Sequence, residues 1–199
     1  MARKLVVLTF TSLDGVMQAP GGKGEDPSDG FDLEGWTVHY FDEAMGEEMD
    51  RQMGQPFDLL LGRKTYDIFA AYWPHQDPDP FAGSKKYVVT SRPVQTDWKG
   101  TIPIHGDVTA EVRRIKQEDG PMIQVHGSSQ LIQALLAGDL VDELWLKIFP
   151  VTLGKGKRLF GAGTIPASFK LTGSSATPSG VIVAAYQRDG DIRLGTFMQ

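Results

Sequence analysis

The stretch that most constrains the fold runs from Met122 to Phe160, MIQVHGSSQLIQALLAGDLVDELWLKIFPVTLGKGKRLF. Its first five residues are apolar or β-forming and predict a buried strand. Gly127 turns the chain. Ser128 and Ser129 are helix-capping types, and Leu131, Ile132, Leu135 and Leu136 repeat at helical spacing. Gly138 is a natural helix stop. The next strand sets Leu144, Leu146 and Ile148 on one face and Trp145, Lys147 and Phe149 on the other. This is a βαβ unit. Small residues at its first turn leave backbone N–H groups bare at a helix N-terminus, a place that favours an anion such as a pyrophosphate.

The same alternation recurs upstream. Leu5–Phe10 is nearly unbroken apolar, as in a strand covered on both faces. His39–Met53 has helical spacing, with Asp42 as a cap and Met45, Met49 and Met53 on one face, read as core. Phe57–Leu61 is a strand, followed by a helix from Gly62-Arg63-Lys64-Thr65 to Trp73. Tyr87–Thr90 is a strand closed by Ser91-Arg92-Pro93. Ile102–Ile104 is at best an edge strand because of Pro103, and Thr109–Glu118 is a helix. Two β segments, Phe169–Ser174 and Val181–Arg188, meet at a Thr-Pro-Ser-Gly turn, with a further strand expected over Ile192–Phe197. The pattern predicts one α/β domain over 1–199: a central, mostly parallel sheet with antiparallel C-terminal strands and helices on both faces. Residues 18–35, rich in Gly, Pro and Asp, form a long loop, read as either a lid or a surface insertion.

Composition narrows the partners. Net charge is −5 with no basic tract, which argues against nucleic acid and anionic membranes. There is no cysteine, so no disulfide framework and no thiolate zinc site. The four histidines show no paired ligand spacing, so no metal is expected. No apolar run reaches membrane-spanning length and no signal peptide is read at Met1–Lys4, which points to the cytoplasm.

Three strand-to-turn transitions stand out: Leu61–Thr65, Thr90–Arg92 and His126–Ser129. In an open α/β sheet the C-terminal strand ends share one edge, where ligands bind. Two of these turns open helices with small or hydroxyl residues, and Arg63, Lys64 and Arg92 add cationic groups. Together they suit a dinucleotide with an extra phosphate, such as NADPH. Neither G-x-G-x-x-G nor a P-loop is present. A different sheet that holds the same cofactor is required.

SLDGVM (12–17), LLLGRKTYDIF (59–69), YVVTSRP (87–93), VHGSSQL (125–131) and FPVTLGKGKRLF (149–160) supply one. In order and spacing the chain resembles the dihydrofolate reductase-like family, in particular the RibD C-terminal (riboflavin-biosynthesis) reductases and their free-standing relatives. The resemblance implies an NADPH-dependent reductase of a small heterocyclic substrate, monomeric or homodimeric, related to 5-amino-6-(5-phosphoribosylamino)uracil reductase. It implies that Gly62, Arg63, Lys64 and Thr65 hold the adenine-side phosphates. Ser91 and Arg92 would flank the 2′-phosphate. Gly127, Ser128 and Ser129 would face the pyrophosphate, with Gln130 and Leu131 behind, and Thr9, Phe10 and Met17 would line the nicotinamide.

Asp14 is either catalytic or an Asx turn. On the substrate side Trp36, Tyr40, Phe41 and Phe149 are candidate aromatic walls. His39 is a candidate proton donor and Glu43 a candidate ring partner; Asp42 is weighed against its helix-capping role. Lys155, Lys157 and Arg158 either meet a substrate phosphate or are solvated. The departures are Ser128 in place of a second glycine, and His126 where riboflavin-type reductases often carry a carboxylate. A true dihydrofolate reductase and a non-catalytic nucleotide-binding module are the alternatives.

Overall fold

The computed structural model describes residues 2–94, 97–161 and 164–197. One eight-stranded sheet organises them, in the order β4-β3-β2-β5-β1-β6-β8-β7. The strands are β1 (Leu5–Ser12), β2 (Phe57–Gly62), β3 (Lys86–Val89), β4 (Thr101–Ile104), β5 (Met122–Val125), β6 (Glu143–Phe149), β7 (Phe169–Ala176) and β8 (Ile182–Arg188). All pairings from β4 to β6 are parallel, and β6–β8 and β8–β7 are antiparallel. Pro103 sits in β4, at the sheet edge, where a missing N–H costs no ladder bond.

Helices α1 (Glu43–Met53), α2 (Arg63–Tyr72), α3 (Val108–Gln117) and α4 (Ser129–Ala137) fill the crossovers. Strand alternation decides what each covers. Leu5, Val7, Ile123, Val125, Leu144 and Leu146 point to one face and pack with Val112 and Ile115 of α3 and Leu131, Ile132 and Leu135 of α4. The opposite face meets α1 and α2, through Met45 with Phe149 and through Tyr66 with Leu59 and Leu61. At about 25 cal/mol per Å² of apolar area, burying each such Leu or Ile contributes roughly 2 kcal/mol.

Two expectations change, and the capping role of Asp42 holds. The helix expected over 39–53 begins at Glu43. Asp42 caps it, its Oδ1 accepting from Met45 N at 2.9 Å, and Val38–Tyr40 is a separate 3-10 turn. Asp42 Oδ2 also accepts from Ser179 N at 2.9 Å, which leaves it as a capping group rather than a ring partner. Ile192–Phe197 forms no strand; Leu194 and Phe197 point into solvent instead of alternating.

The 18–35 segment is a packed flap. Gln18 is buried, donates to Asp26 O and Ser28 O, and accepts from Lys157 N at 2.9 Å. Thr37 Oγ1 donates to Pro20 O, Trp36 Nε1 donates to Gln18 O, and Phe31 packs on Val16 and Ala19. Its backbone polar groups are thus met internally, which a long segment beside a core requires.

Candidate active site

The sheet order creates a switch point. From β2 the chain passes through α2 to β3 on one side, and from β5 through α4 to β6 on the other. Adjacent strands whose connections diverge leave a crevice beyond their C-terminal ends. Here the two turns meet: Gly62 N donates to Gly127 O at 3.1 Å. A side chain on either glycine would collide. A Cβ at Gly62 would stand 2.9 Å from Ser128 N, and one at Gly127 would stand 2.7 Å from Thr65 Oγ1.

A cleft of about 1580 Å³ opens over this junction. All the residues expected to touch a dinucleotide line it: Thr9, Phe10 and Met17; Gly62, Arg63, Lys64 and Thr65; Ser91 and Arg92; Gly127, Ser128, Ser129, Gln130 and Leu131. Neither α2 nor α4 has a side-chain N-cap bond. Their first N–H groups and partial positive ends are left to face the cleft.

The cations there differ. Arg63 is committed, with Nε on Asp67 at 2.8 Å and Nη1 on Pro93 O at 2.6 Å. Lys64 pairs with Asp26 of the flap, and Lys157 reaches the same carboxylate at 2.7 Å. Burial works against the Asp26 charge, but both ammoniums and Ser28 outweigh it and hold its pKa well below the carboxylate range. Arg92 is exposed and has no side-chain hydrogen bond or ion pair among the described residues.

The other end of the cleft is aromatic and enclosed. Met49 and Met53 of α1, Phe69 and Trp73 after β2, and Phe81 line it with Phe10. Phe69 stacks on Phe81 at 5.7 Å, and Trp73 meets Phe81 edge-on at 5.2 Å. Lys86 secures this wall from behind: its buried ammonium donates to the carbonyls of Phe81 and Lys99, the latter at 3.0 Å.

Two titratable groups line this end, His126 and Lys147. Lys147 is only 1% exposed and its ammonium donates to Gln52 Oε1. Burial pushes its pKa from 10.5 down to about 7, partly opposed by Glu48 and aided by Arg51. His126 is walled by Phe69 at 5.8 Å and Phe81 at 6.3 Å. Burial, and then the Lys147 charge, push its pKa down to about 3, so the ring is neutral at pH 7.

The candidate catalytic and substrate residues fall elsewhere. Asp14 stands outside the cleft lining. It accepts from Ser12 Oγ at 2.6 Å, Leu153 N at 3.0 Å and Gly154 N at 2.8 Å, and its pKa is lowered to about 2, first by the Ser12 bond. It fastens the loop after β1 to the loop after β6, which is the Asx-turn alternative in a longer-range form. His39 and Glu43 are exposed and also outside the lining. Trp36, Tyr40 and Phe41 gather with Phe10 and the fully buried Phe149 in an edge-to-face cluster, of which only Phe10 reaches the cleft. Trp36 and Tyr40 pack there against Phe149, Met45, Val181 and Val183, while Phe41 is exposed. Lys155 and Arg158 pair with Asp32 and Asp14 and stand outside the cleft lining.

Missed from the sequence were Met49, Met53, Phe69, Trp73, Phe81 and Lys147 as cleft residues. The period-2 pattern of β6 did set Lys147 on the inner face beside Phe149, a signal for a buried charge.

A family profile described as the RibD C-terminal domain matches residues 3–183. The chain belongs to that family. Two Bacillus subtilis (strain 168) proteins, both described as uncharacterized, are among its relatives. YyaP is 29% identical over 195 residues, covering 94% of this chain and 96% of YyaP; YwjB is 28% identical over 180 residues, covering 87% and 92%.

Solved structures share the fold of this RibD C-terminal domain protein. A Shewanella sp. PV-4 protein named for riboflavin biosynthesis superposes with a TM-score of 0.68 at 21% identity, over 95% of this chain and 99% of that one. A pyrimidine reductase-like protein of Corynebacterium diphtheriae gives 0.64 at 15%, over 95% and 93%. Dihydrofolate reductase of Enterococcus faecalis, solved with NADP(H), gives 0.60 at 16%, over 95% and 99%. The fold is dihydrofolate reductase-like. Among the described residues no helix is long and apolar enough to cross a membrane, and no cluster of three His, Cys, Asp or Glu could hold a metal.

Proposed function

We propose that this RibD C-terminal domain protein is an NADPH-dependent oxidoreductase that reduces a small planar heterocycle. One observation carries the reading: the Gly62 and Gly127 turns touch, and two uncapped helix N-termini, Lys64 and the unpaired Arg92 surround them on one cleft. That donor set fits a pyrophosphate with a further phosphate beside it. The space a Cβ would fill at either glycine is what lets the two turns close on each other beneath such a ligand. Ser91 and Arg92 serve the 2′-phosphate, and Thr9, Phe10 and Met17 meet the nicotinamide, next to the aromatic end where the acceptor lies. The nicotinamide supplies a hydride; the chain binds, orients and keeps water away.

The printed names of the riboflavin-biosynthesis and pyrimidine reductase-like neighbours favour a heterocyclic acceptor, and the NADP(H) of the dihydrofolate reductase favours the cofactor. The exposed outer strand β7, paired only with β8, is the surface we assign to a homodimer contact. Fluorescence titration with NADPH and NADH tests the reading. Tight NADPH binding with weaker NADH binding is expected; equal, millimolar binding of both rejects it.

A further inference from the structure

Among the described residues that line the cleft, Lys147 is the one buried cation at the aromatic end, and no carboxylate hydrogen-bonds to it. Among the described residues its only hydrogen-bond partner is the neutral amide of Gln52. The nearest carboxylate, Glu48, is engaged by Arg51 Nη2 at 2.6 Å and by the amide of the same Gln52. Lys86, which serves structure, has its buried ammonium met by two main-chain carbonyls, whereas Lys147 has a single amide oxygen, and an unmet buried charge is costly. The amine has three N–H donors and uses one, so donors remain for a ligand. Gln52 O accepts from Gln124 Nε2 at 3.0 Å, and Gln124 Oε1 meets His126 Nε2 at 3.2 Å, which holds the neighbouring imidazole in place. The carboxylates on the cleft, Glu25, Asp26 and Asp67, belong to the flap and to α2 at the phosphate end.

We propose that Lys147 is the catalytic proton donor, and that the acceptor is a planar ring bearing a C=O or C=N whose heteroatom bonds to this ammonium. A ring held by its own N–H edge, as a pterin is by a carboxylate, does not fit a site whose inner group is a donor. The inference rests on the reductase reading above. A hydride and its two electrons reach the acceptor carbon from the dihydronicotinamide. The π pair of the C=O or C=N moves to the heteroatom, which takes one proton from Lys147, and the amine regains a proton from water. Facing Lys147 are Glu48, Arg51 and Gln52 from α1, Gln124 from β5 and His126 just after it, Phe10 from β1, and Val183 from β8.

The test uses 4-nitrophenol, whose coloured anion imitates the oxyanion formed by reduction. Wild type, Lys147→Met, Lys147→Gln and Glu48→Gln are each titrated with it across pH, and separately with NADPH. Wild type is expected to bind the anion and to draw its ionisation to lower pH. Both lysine variants lose binding at least tenfold while NADPH affinity stays within twofold. Glu48→Gln removes the charge that supports the ammonium, so its alkaline limit for nitrophenolate binding moves to lower pH. Undiminished binding by a folded lysine variant, or an unmoved limit in Glu48→Gln, overturns the role of Lys147. Loss of NADPH binding in every protein, with lysine-dependent nitrophenolate binding intact, overturns the reductase reading and the proton transfer with it.

Discussion

The two ends of the cleft are built on opposite rules. The glycine-turn end is made of main chain: two glycine turns that touch, two helix starts without caps, and charged side chains at the rim. Its chemistry is fixed by where strands end, and its two glycines leave no room for a side chain. The aromatic end is made of side chains from α1, α2, β5, β6 and the Phe81 loop, around one buried ammonium. Its chemistry is fixed by which residues stand there. The first end is the one a fold transmits; the second is the one a sequence can re-specify.

The largest expected effect separates the ends by pH. Lys147 has a folded pKa lowered from 10.5 to about 7, so the unfolded chain binds the extra proton between those values. Its cost to stability is full below about pH 7 and fades as pH rises towards 10.5. Lys147→Met is therefore expected to be more stable than wild type by on the order of a few kcal/mol near pH 6. Denaturant melts at pH 6 and pH 9 check this: the advantage must shrink at the higher pH.

Gly62→Ala attacks the other end. Overpacking costs roughly 1–3 kcal/mol, and at ~1.4 kcal/mol per decade NADPH binding is expected to weaken roughly tenfold to a hundredfold. Titration on protein shown by melting to be folded separates binding from stability. Arg92→Ala touches only the rim. A charge-assisted bond contributes roughly 1.5–3 kcal/mol, so about a tenfold loss for NADPH is expected, with NADH unchanged. Equal loss for both cofactors would break the assignment of Arg92 to the extra phosphate.

Asp26→Asn frees Lys64 and Lys157 from the flap. Because the folded pKa of Asp26 is depressed, its contribution is present above the usual carboxylate pKa and lost in acid. The variant is expected to melt lower than wild type at pH 7, by about 1 kcal/mol, and to show no difference in strong acid. The smallest effect is His39→Ala: an exposed residue off the cleft should change stability by less than about 0.5 kcal/mol and turnover not at all.

The meeting of the glycine turns on one cleft was legible in the sequence because its signals are local. A glycine or hydroxyl just after an apolar run marks a strand end and a helix start, and parallel strands carry such ends to one edge. The aromatic end was not, because its residues are spaced through several elements with no shared local pattern. Met49 and Met53 read as core since a helix face records burial without recording what lies opposite; Met45 is core, while its two neighbours face the cleft. Trp36, Tyr40 and Phe41 misled for the converse reason: an aromatic cluster near a loop looks the same in sequence whether it walls a void or closes around Phe149. Ile192–Phe197 had β-forming residues but pairs with no strand of the sheet.

The clamp behind Phe81 has a practical consequence. Lys86 grips main-chain oxygens, not the ring, so the skeleton of that wall is anchored independently of what the wall displays. A partition bolted at its frame can have its panels exchanged one by one. A frame held in this way can admit differently shaped guests without remaking the room.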